Sequence, residues 1–326
     1  MPGGPGRAFS WPALAIRAAA IAVCAVALQQ CSKPSGGPTS PTGTTTQNPP
    51  GPPTVPTPTP DPPGPQVFVG AGDIAICGPN GNAEATAKLV EGIGGQVFTL
   101  GDNAYPNGSA ENFRDCYEPT WGRFKGRTRP APGNHEYQTP GASTYYQYFG
   151  GLAGPAGLGY YSYPLGAWHI ISLNSEPSVA IGGAMEAWLR SDLAANTAKC
   201  TLAYWHHPLF TSGQNGENGY MRPTYRILYE ANADVVLSGH DHLYERFAPQ
   251  DPDGRFDLSR GIRQFVVGTG GVPFYQFMAT RPNSEARMTG PGTTGVIRFT
   301  LLADSYQWEF ITTGQGTRDN GSGTCH

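Results

Sequence analysis

Hydrophobic and polar positions change texture at Val67. Before it, residues 32–65 are Pro, Thr, Gly and Ser with almost nothing apolar. Such a composition cannot bury a core, and it predicts a semi-extended tether. After it, short apolar runs alternate with amphipathic ones. Gln66-Val67-Phe68-Val69-Gly70-Ala71-Gly72-Asp73 reads as a strand ending at an aspartate, residues 82–91 as a helix, and Gln96 to Asp102 as a second strand ending at an aspartate. Strand, helix, strand in that order predicts a parallel crossover, which puts both carboxylates on one edge of a sheet. Ligands in such folds collect at the carboxyl ends of strands.

Further elements follow from the same periodicities. Ser109 caps a short helix carrying Phe113, Cys116 and Tyr117, stopped by Pro119. Pro132-Gly133-Asn134-His135-Glu136 is a polar turn, and Ala167 to Leu173 a strand. Met185, Trp188, Leu189 and Leu193 fall on one helical face. Thr201 to Trp205 is a strand running into His206-His207-Pro208, and Pro223 to Ala231 a helix with proline in its first turn. Val235-Val236-Leu237 is an apolar strand that delivers Gly239-His240-Asp241-His242. Gln264 to Val267 is a strand, residues 296–302 and 305–311 form a hairpin, and the final residues are polar. The Tyr- and Gly-rich stretch 137–166 carries no assignable period, and no repeat of fixed length runs through the chain.

Composition adds bounds. With 326 residues, 14% of them charged and a formal net charge of −3, the chain has room for a sizeable core. It shows no Lys/Arg run that would mark a nucleic-acid footprint. Local positive charge for an anionic substrate would then come most economically from bound metal. Residues 1–31 read as an export signal: Arg7 and Arg17 precede the small apolar run Ala18 to Leu28, which is short for a bilayer span. Leu28-Gln29-Gln30-Cys31 loosely matches a lipoprotein box, which makes lipid attachment at Cys31 or an uncleaved N-terminal anchor the alternatives to simple cleavage. Six cysteines occur without a CxxC pair. After export, Cys77, Cys116, Cys200 and Cys325 would form two disulfides, in any of the three connectivities four cysteines allow.

Successive strand ends thus offer Asp73, Asp102, Asn134, His206, and His240 with His242. Each alone has a bland reading, as a turn former or an ordinary histidine. Taken together, mixed oxygen and nitrogen donors delivered by ordered strands suit hard to borderline metals. In order, Gly72–Ala75 (GD-x-A), Gly101–Tyr105 (GD-x-x-Y), Gly133–Glu136 (GNHE), His206–Pro208 (HHP) and Gly239–His242 (GHDH) resemble the calcineurin-like metallophosphoesterases. Tyr105, together with Ala75 where a related branch has histidine, makes the closer resemblance one to the purple acid phosphatases.

That resemblance covers about residues 67–312 and implies an α/β fold, a four-layer α/β/β/α sandwich of two mixed β-sheets flanked by helices, within a catalytic domain at 66–326. It implies two metal ions. Asp73, Asp102, Tyr105 and His242 would hold Fe(III). Asp102, Asn134, His206 and His240 would hold Zn, Fe or Mn, with Asp102 bridging. A hydroxide generated by the metals would attack phosphorus in line, His135 would protonate the leaving alkoxide, and His207 would face substrate or fix the His206 loop. The implied substrate is a small phosphate ester, a monoester before a diester or nucleotide. A surface protein that binds metal or phosphate without turnover is the alternative from another class. The expected disulfides are Cys77–Cys116 and Cys200–Cys325, with a Cys77 thiolate on metal as the rival.

Overall fold

The computed structural model describes residues 64–181 and 183–326. The expected export signal and all but the last two residues of the tether lie outside the described residues. In chain order the strands are β1 (Gln66–Ala71), β2 (Gln96–Leu100), β3 (Thr128–Ala131), β4 (Tyr161–Leu165), β5 (Trp168–Ser172), β6 (Cys200–Tyr204) and β7 (Val235–Ser238). They continue with β8 (Tyr244–Phe247), β9 (Arg263–Val267), β10 (Ser284–Met288), β11 (Gly295–Leu301), β12 (Ser305–Thr312) and β13 (Gly316–Thr324). The main helices are α1 (Ala83–Glu91), α2 (Ser143–Phe149), α3 (Ala184–Ala195) and α4 (Arg222–Glu230).

These strands make two mixed sheets, ordered β13-β12-β11-β1-β2-β3 and β10-β8-β9-β7-β6-β5-β4. Pairing is parallel across β1, β2 and β3 and across β5, β6, β7 and β9, and antiparallel toward the outer strands. The parallel centres are where short β-branched and aromatic runs are buried on both faces. Between the sheets the aromatic side chains interlock: ring centroids of Phe98 and Tyr204 lie 5.9 Å apart and those of Phe265 and Trp308 5.5 Å. Each such fully buried ring contributes roughly 1.5–3 kcal/mol of burial. On the outer face of the second sheet, Met185 and Leu189 of α3 and Ile227 and Leu228 of α4 pack with Ala203, Val236 and Phe247. On the first sheet α1 buries Ala83, Ala87 and Val90, spaced i, i+4, i+7. The four-layer sandwich of two mixed sheets flanked by helices is the architecture observed.

Two regions carry more order than their sequence pattern announces. Stretch 137–166 forms α2 and the edge strand β4. The polar tail forms β13, paired antiparallel with β12. Its glycines serve packing: a Cβ on Gly321 would sit 2.3 Å from the Trp308 ring, and one on Gly323 would sit 2.4 Å from the Tyr306 ring. The strand is a cover for two aromatic residues, so it reads as polar and small.

Disulfides join Cys77 to Cys116 and Cys200 to Cys325. The first ties the segment after Asp73 to the turn Phe113–Tyr117. The second fastens the tail to the start of β6, where the Cys325 N–H donates to Asp304 O at 2.8 Å and the His326 N–H to Asp234 Oδ1 at 2.9 Å. Pairing of Cys77 removes the alternative of a thiolate on metal. Among the described residues, no helix is long and apolar enough to cross a membrane.

Candidate metal centre

Every donor named from the sequence stands at or just past a strand's carboxyl end. Asp73 follows β1, Asp102 and Tyr105 follow β2, Asn134 and His135 follow β3, His206 and His207 follow β6, and His240 and His242 follow β7. The backbone bends hard to do this. Asp73, Asp102 and His240 have φ of 60°, 50° and 70°, in the left-handed region that residues with a Cβ seldom occupy. Neighbouring turns fix them: the His240 N–H donates to Asp73 Oδ2 at 2.8 Å, and the His135 N–H to Asp102 Oδ1 at 2.8 Å.

The donors converge. Tyr105 Oη lies 2.9 Å from both Asp73 Oδ1 and Asp102 Oδ2 and 3.1 Å from His242 Nε2. His206 Nε2 lies 3.1 Å from Asp102 Oδ2, 3.1 Å from Asn134 Oδ1 and 3.2 Å from His240 Nδ1. Asp102 therefore touches both groups, one centred on Tyr105 and the other on His206. Two of the imidazoles have their far nitrogen committed to a backbone carbonyl. His206 Nδ1 is 2.7 Å from Leu100 O and His242 Nδ1 is 2.7 Å from Pro273 O, so both donate from Nδ1 and leave Nε2 as a lone-pair donor.

This chemistry fits metal ions. Burial and the carboxylates of Asp102 and Asp73 push the Tyr105 phenol well above its usual 10, so a phenolate there requires a neighbouring cation. Burial opposes charge on His206, yet Asp102, Asp73 and the Leu100 carbonyl together outweigh it and raise the imidazole to about 9. Burial, then His206, lowers His240 to about 4, and the same two causes with His240 lower His207 to about 2. A cluster of buried acids among imidazoles held in opposite protonation states is what a bound cation would resolve. Asp73, Asp102 and His206 offer ligand atoms all within 4.8 Å of one another, as do His206, His207 and His240. A third grouping, Cys200, Cys325 and Asp234, is no candidate because its sulfurs are bonded to each other.

Neither histidine beside the donors is idle. His135 keeps its Nδ1 against Pro106 O, lies 3.7 Å through Nε2 from Asp102 Oδ2, and stacks obliquely on Tyr105 at 4.2 Å between centroids. His207 is buried. Its N–H donates to Ser175 Oγ at 2.9 Å, its Nδ1 meets the same oxygen at 2.9 Å, and its ring lies 4.4 Å from that of His240.

Sequence reasoning missed the roles of Glu136, Ser175 and Tyr275. Glu136 is buried, and its carboxylate accepts N–H groups from Gly133 (2.8 Å), Asp102 (3.0 Å), Asn103 (2.8 Å) and Ala104 (3.3 Å), stapling the β3 turn to the β2 turn. Burial, with Asp102 beside it, pushes its carboxyl up to about 8 against the pull of those N–H groups. Tyr275 stacks on His242 at 3.9 Å and 9° between planes. Asp241 is buried with Thr211 Oγ1 at 2.6 Å, and Glu245 with Ser212 Oγ at 2.6 Å. Arg246 pairs with Asp319 at 2.8 Å, away from the donors. Only the motif acids among these carried any sequence signal; Ser175 and Tyr275 lie in segments without one.

Fold and donor set together define a candidate metal-binding centre at the carboxyl ends of the parallel strands of two mixed sheets. The chain belongs to the calcineurin-like phosphoesterase family, whose family model matches residues 67–244. It is similar to purple acid phosphatase 22 of Arabidopsis thaliana, 29% identical over 223 residues, covering 58% of this chain and 49% of that protein. It is also similar to purple acid phosphatase 23 of Arabidopsis thaliana, 30% identical over 177 residues, covering 47% of this chain and 38% of that protein. The chain thus spans about half or less of these relatives' length. Its structure superposes on the purple acid phosphatase PPD1 of yellow lupin (Lupinus luteus) with a TM-score of 0.67, at 17% identity, covering 82% of this chain and 55% of that one.

Proposed function

We propose that residues 66–326 are the catalytic domain of an exported, dinuclear, purple acid phosphatase-like enzyme that hydrolyses phosphomonoesters. The observation that carries this reading is the meeting of Tyr105 with Asp73, Asp102 and His242 beside a second group of His206, Asn134 and His240 that shares Asp102. In it, Asp73, Asp102, Tyr105 and His242 hold a ferric ion, and Asp102, Asn134, His206 and His240 hold zinc, iron or manganese. When bound, such a pair would supply Lewis acidity toward a phosphoryl group and toward water. The remaining work belongs to the side chains. His135, whose Nδ1–H donates to Pro106 O, would deliver the Nε2 proton of its imidazolium form to the leaving alkoxide. His207, oriented by Ser175 Oγ, presents Nε2 toward the phosphoryl oxygens. The four Glu136 contacts keep the Asp102 and Asn134 turns in register through turnover. Export by residues 1–31 accords with the two disulfides, which persist in oxidising compartments.

Metal analysis of the purified protein, with its visible spectrum and its turnover of phenyl phosphate and bis(4-nitrophenyl) phosphate, tests the proposal. Two metals per chain, a tyrosinate-to-iron band that Tyr105→Phe abolishes, and faster monoester turnover are expected. Iron-free, colourless and fully active protein would refute the ferric site. Faster diester turnover would make it a phosphodiesterase, and inertness of metal-replete protein toward both esters a binding protein.

A further inference from the structure

One charged side chain near the centre is used neither by the donor set nor by the fold. Glu176 follows β5 in the run Asn174-Ser175-Glu176, whose serine orients His207. Its backbone is pinned: the Glu176 N–H donates to Asn174 Oδ1 at 3.1 Å, and its carbonyl accepts from the N–H groups of Val179 and Ala180 at 2.9 and 2.8 Å. Its half-buried carboxylate, by contrast, has no hydrogen-bond or ion-pair partner among the described residues. The neighbouring acids are all engaged, Asp241 by Thr211, Glu136 by backbone N–H groups, and Glu217 by Arg281 at 3.3 Å.

Glu176 is electrically part of the site. Burial raises its pKa, with His206 pulling it down and Asp102 pushing it up, and the Tyr220 phenol is raised by burial first and by Glu176 second. Tyr220 closes the geometry: its hydroxyl donates to Ser175 O at 3.0 Å and its ring lies 6.2 Å from that of His207. Glu176 thus directly follows the serine of the wall that Ser175, Tyr220 and His207 form, and its carboxylate is unpaired among the described residues. A substrate whose phosphoryl group sits at the centre brings its remaining atoms past this wall.

We propose that Glu176 is a specificity-determining residue that faces the leaving group, rejecting leaving groups with further negative charge and favouring those with a positive charge or a hydrogen-bond donor. This rests on the phosphoester-hydrolase reading above. It predicts a preference order of phosphocholine, phenyl phosphate and ADP, which carry cationic, uncharged and anionic leaving groups.

The test is kcat/KM of the metal-loaded enzyme for the two monoesters and for the terminal phosphoanhydride of ADP, each expressed relative to phenyl phosphate. In Glu176→Gln the ADP ratio rises about tenfold and the phosphocholine ratio falls by a similar factor, as removal of one nearby partly buried charge implies. Glu176→Lys inverts the order. A role confined to the loop's stability would move all three rates together and leave the ratios alone. Ratios within twofold of wild type in both variants overturn the proposal while the hydrolase reading stands. Failure of the loaded wild-type enzyme to hydrolyse any of the three overturns both.

Discussion

Gly133 offers the sharpest test of how the centre is held. It precedes Asn134, and a Cβ added to it would lie 2.2 Å from Asp102 Oδ1 and 2.5 Å from the Asp102 backbone nitrogen. That is roughly 1 Å or more inside ordinary contact, and the obstruction is partly main chain, so it cannot swing aside. In Gly133→Ala either the β3 turn retreats or the Asp102 carboxylate does. Both break the His135 N–H contact to Asp102 Oδ1 at 2.8 Å. Overpacking together with loss of a hydrogen bond to a charged group gives about 2–4 kcal/mol of destabilisation. A shift of about 1 Å in a shared ligand should also lower kcat/KM about 100-fold. The assay is urea denaturation, metal content per chain and phenyl phosphate turnover, with Gly126→Ala alongside. Gly126 has nothing within 4 Å of an added Cβ, so that variant should stay within about 0.5 kcal/mol of wild type. If Gly133→Ala matches Gly126→Ala in stability, metal and turnover, the account of Asp102 as a sterically confined shared donor is wrong.

Three further outcomes follow from other contacts. Replacing both cysteines of Cys200–Cys325 by serine should destabilise more than the same change at Cys77–Cys116, because the sequence separations are 125 and 39 residues. Loop entropy gives upper values of about 5 and 4 kcal/mol, and equal denaturation midpoints would contradict this. Asp319 accepts from Tyr244 at 2.7 Å, Arg246 at 2.8 Å and Trp308 at 3.1 Å. Burial alone would raise its carboxyl, but these donors hold it below its ordinary 3.8. A depressed carboxyl pKa stabilises the fold above the unfolded value and ceases to as pH falls through the folded one. Asp319→Asn should therefore be less stable than wild type at pH 7, with the gap closing below about pH 4; a gap independent of pH in thermal melts would count against it. Ser175→Ala removes the oxygen that holds both His207 N and Nδ1, and should cost about 1–3 kcal/mol and raise KM for phenyl phosphate. An unchanged KM would remove His207 from substrate binding.

Much of this was legible from sequence because the site is a list of strand ends. An apolar run followed by Gly-Asp, Gly-His or His-His-Pro announces a buried strand, its terminus and its donor together, so Asp73, Asp102, His206 and His240 could be read before any fold was known. Convergence could not be read, since it depends on β11 inserting beside β1 and on two sheets meeting through Phe98, Tyr204 and Trp308. The supports were opaque for a related reason. Glu136, though it ends the Gly133–Glu136 motif, acts through four backbone N–H groups on two loops, and Ser175 through a histidine more than thirty residues away; neither role leaves a local pattern. The tail's strand was hidden because glycine there answers to aromatic rings on its neighbour.

The left-handed backbone at Asp73, Asp102 and His240 bears on how anyone should interrogate these positions. Aspartate and asparagine tolerate that conformation far better than alanine or valine. An alanine scan would therefore remove a donor and also penalise the turn that displays it, confounding two losses in one number. Asparagine at 73 and 102 keeps the turn while altering only the charge offered, which makes it the cleaner reporter of what each carboxylate does.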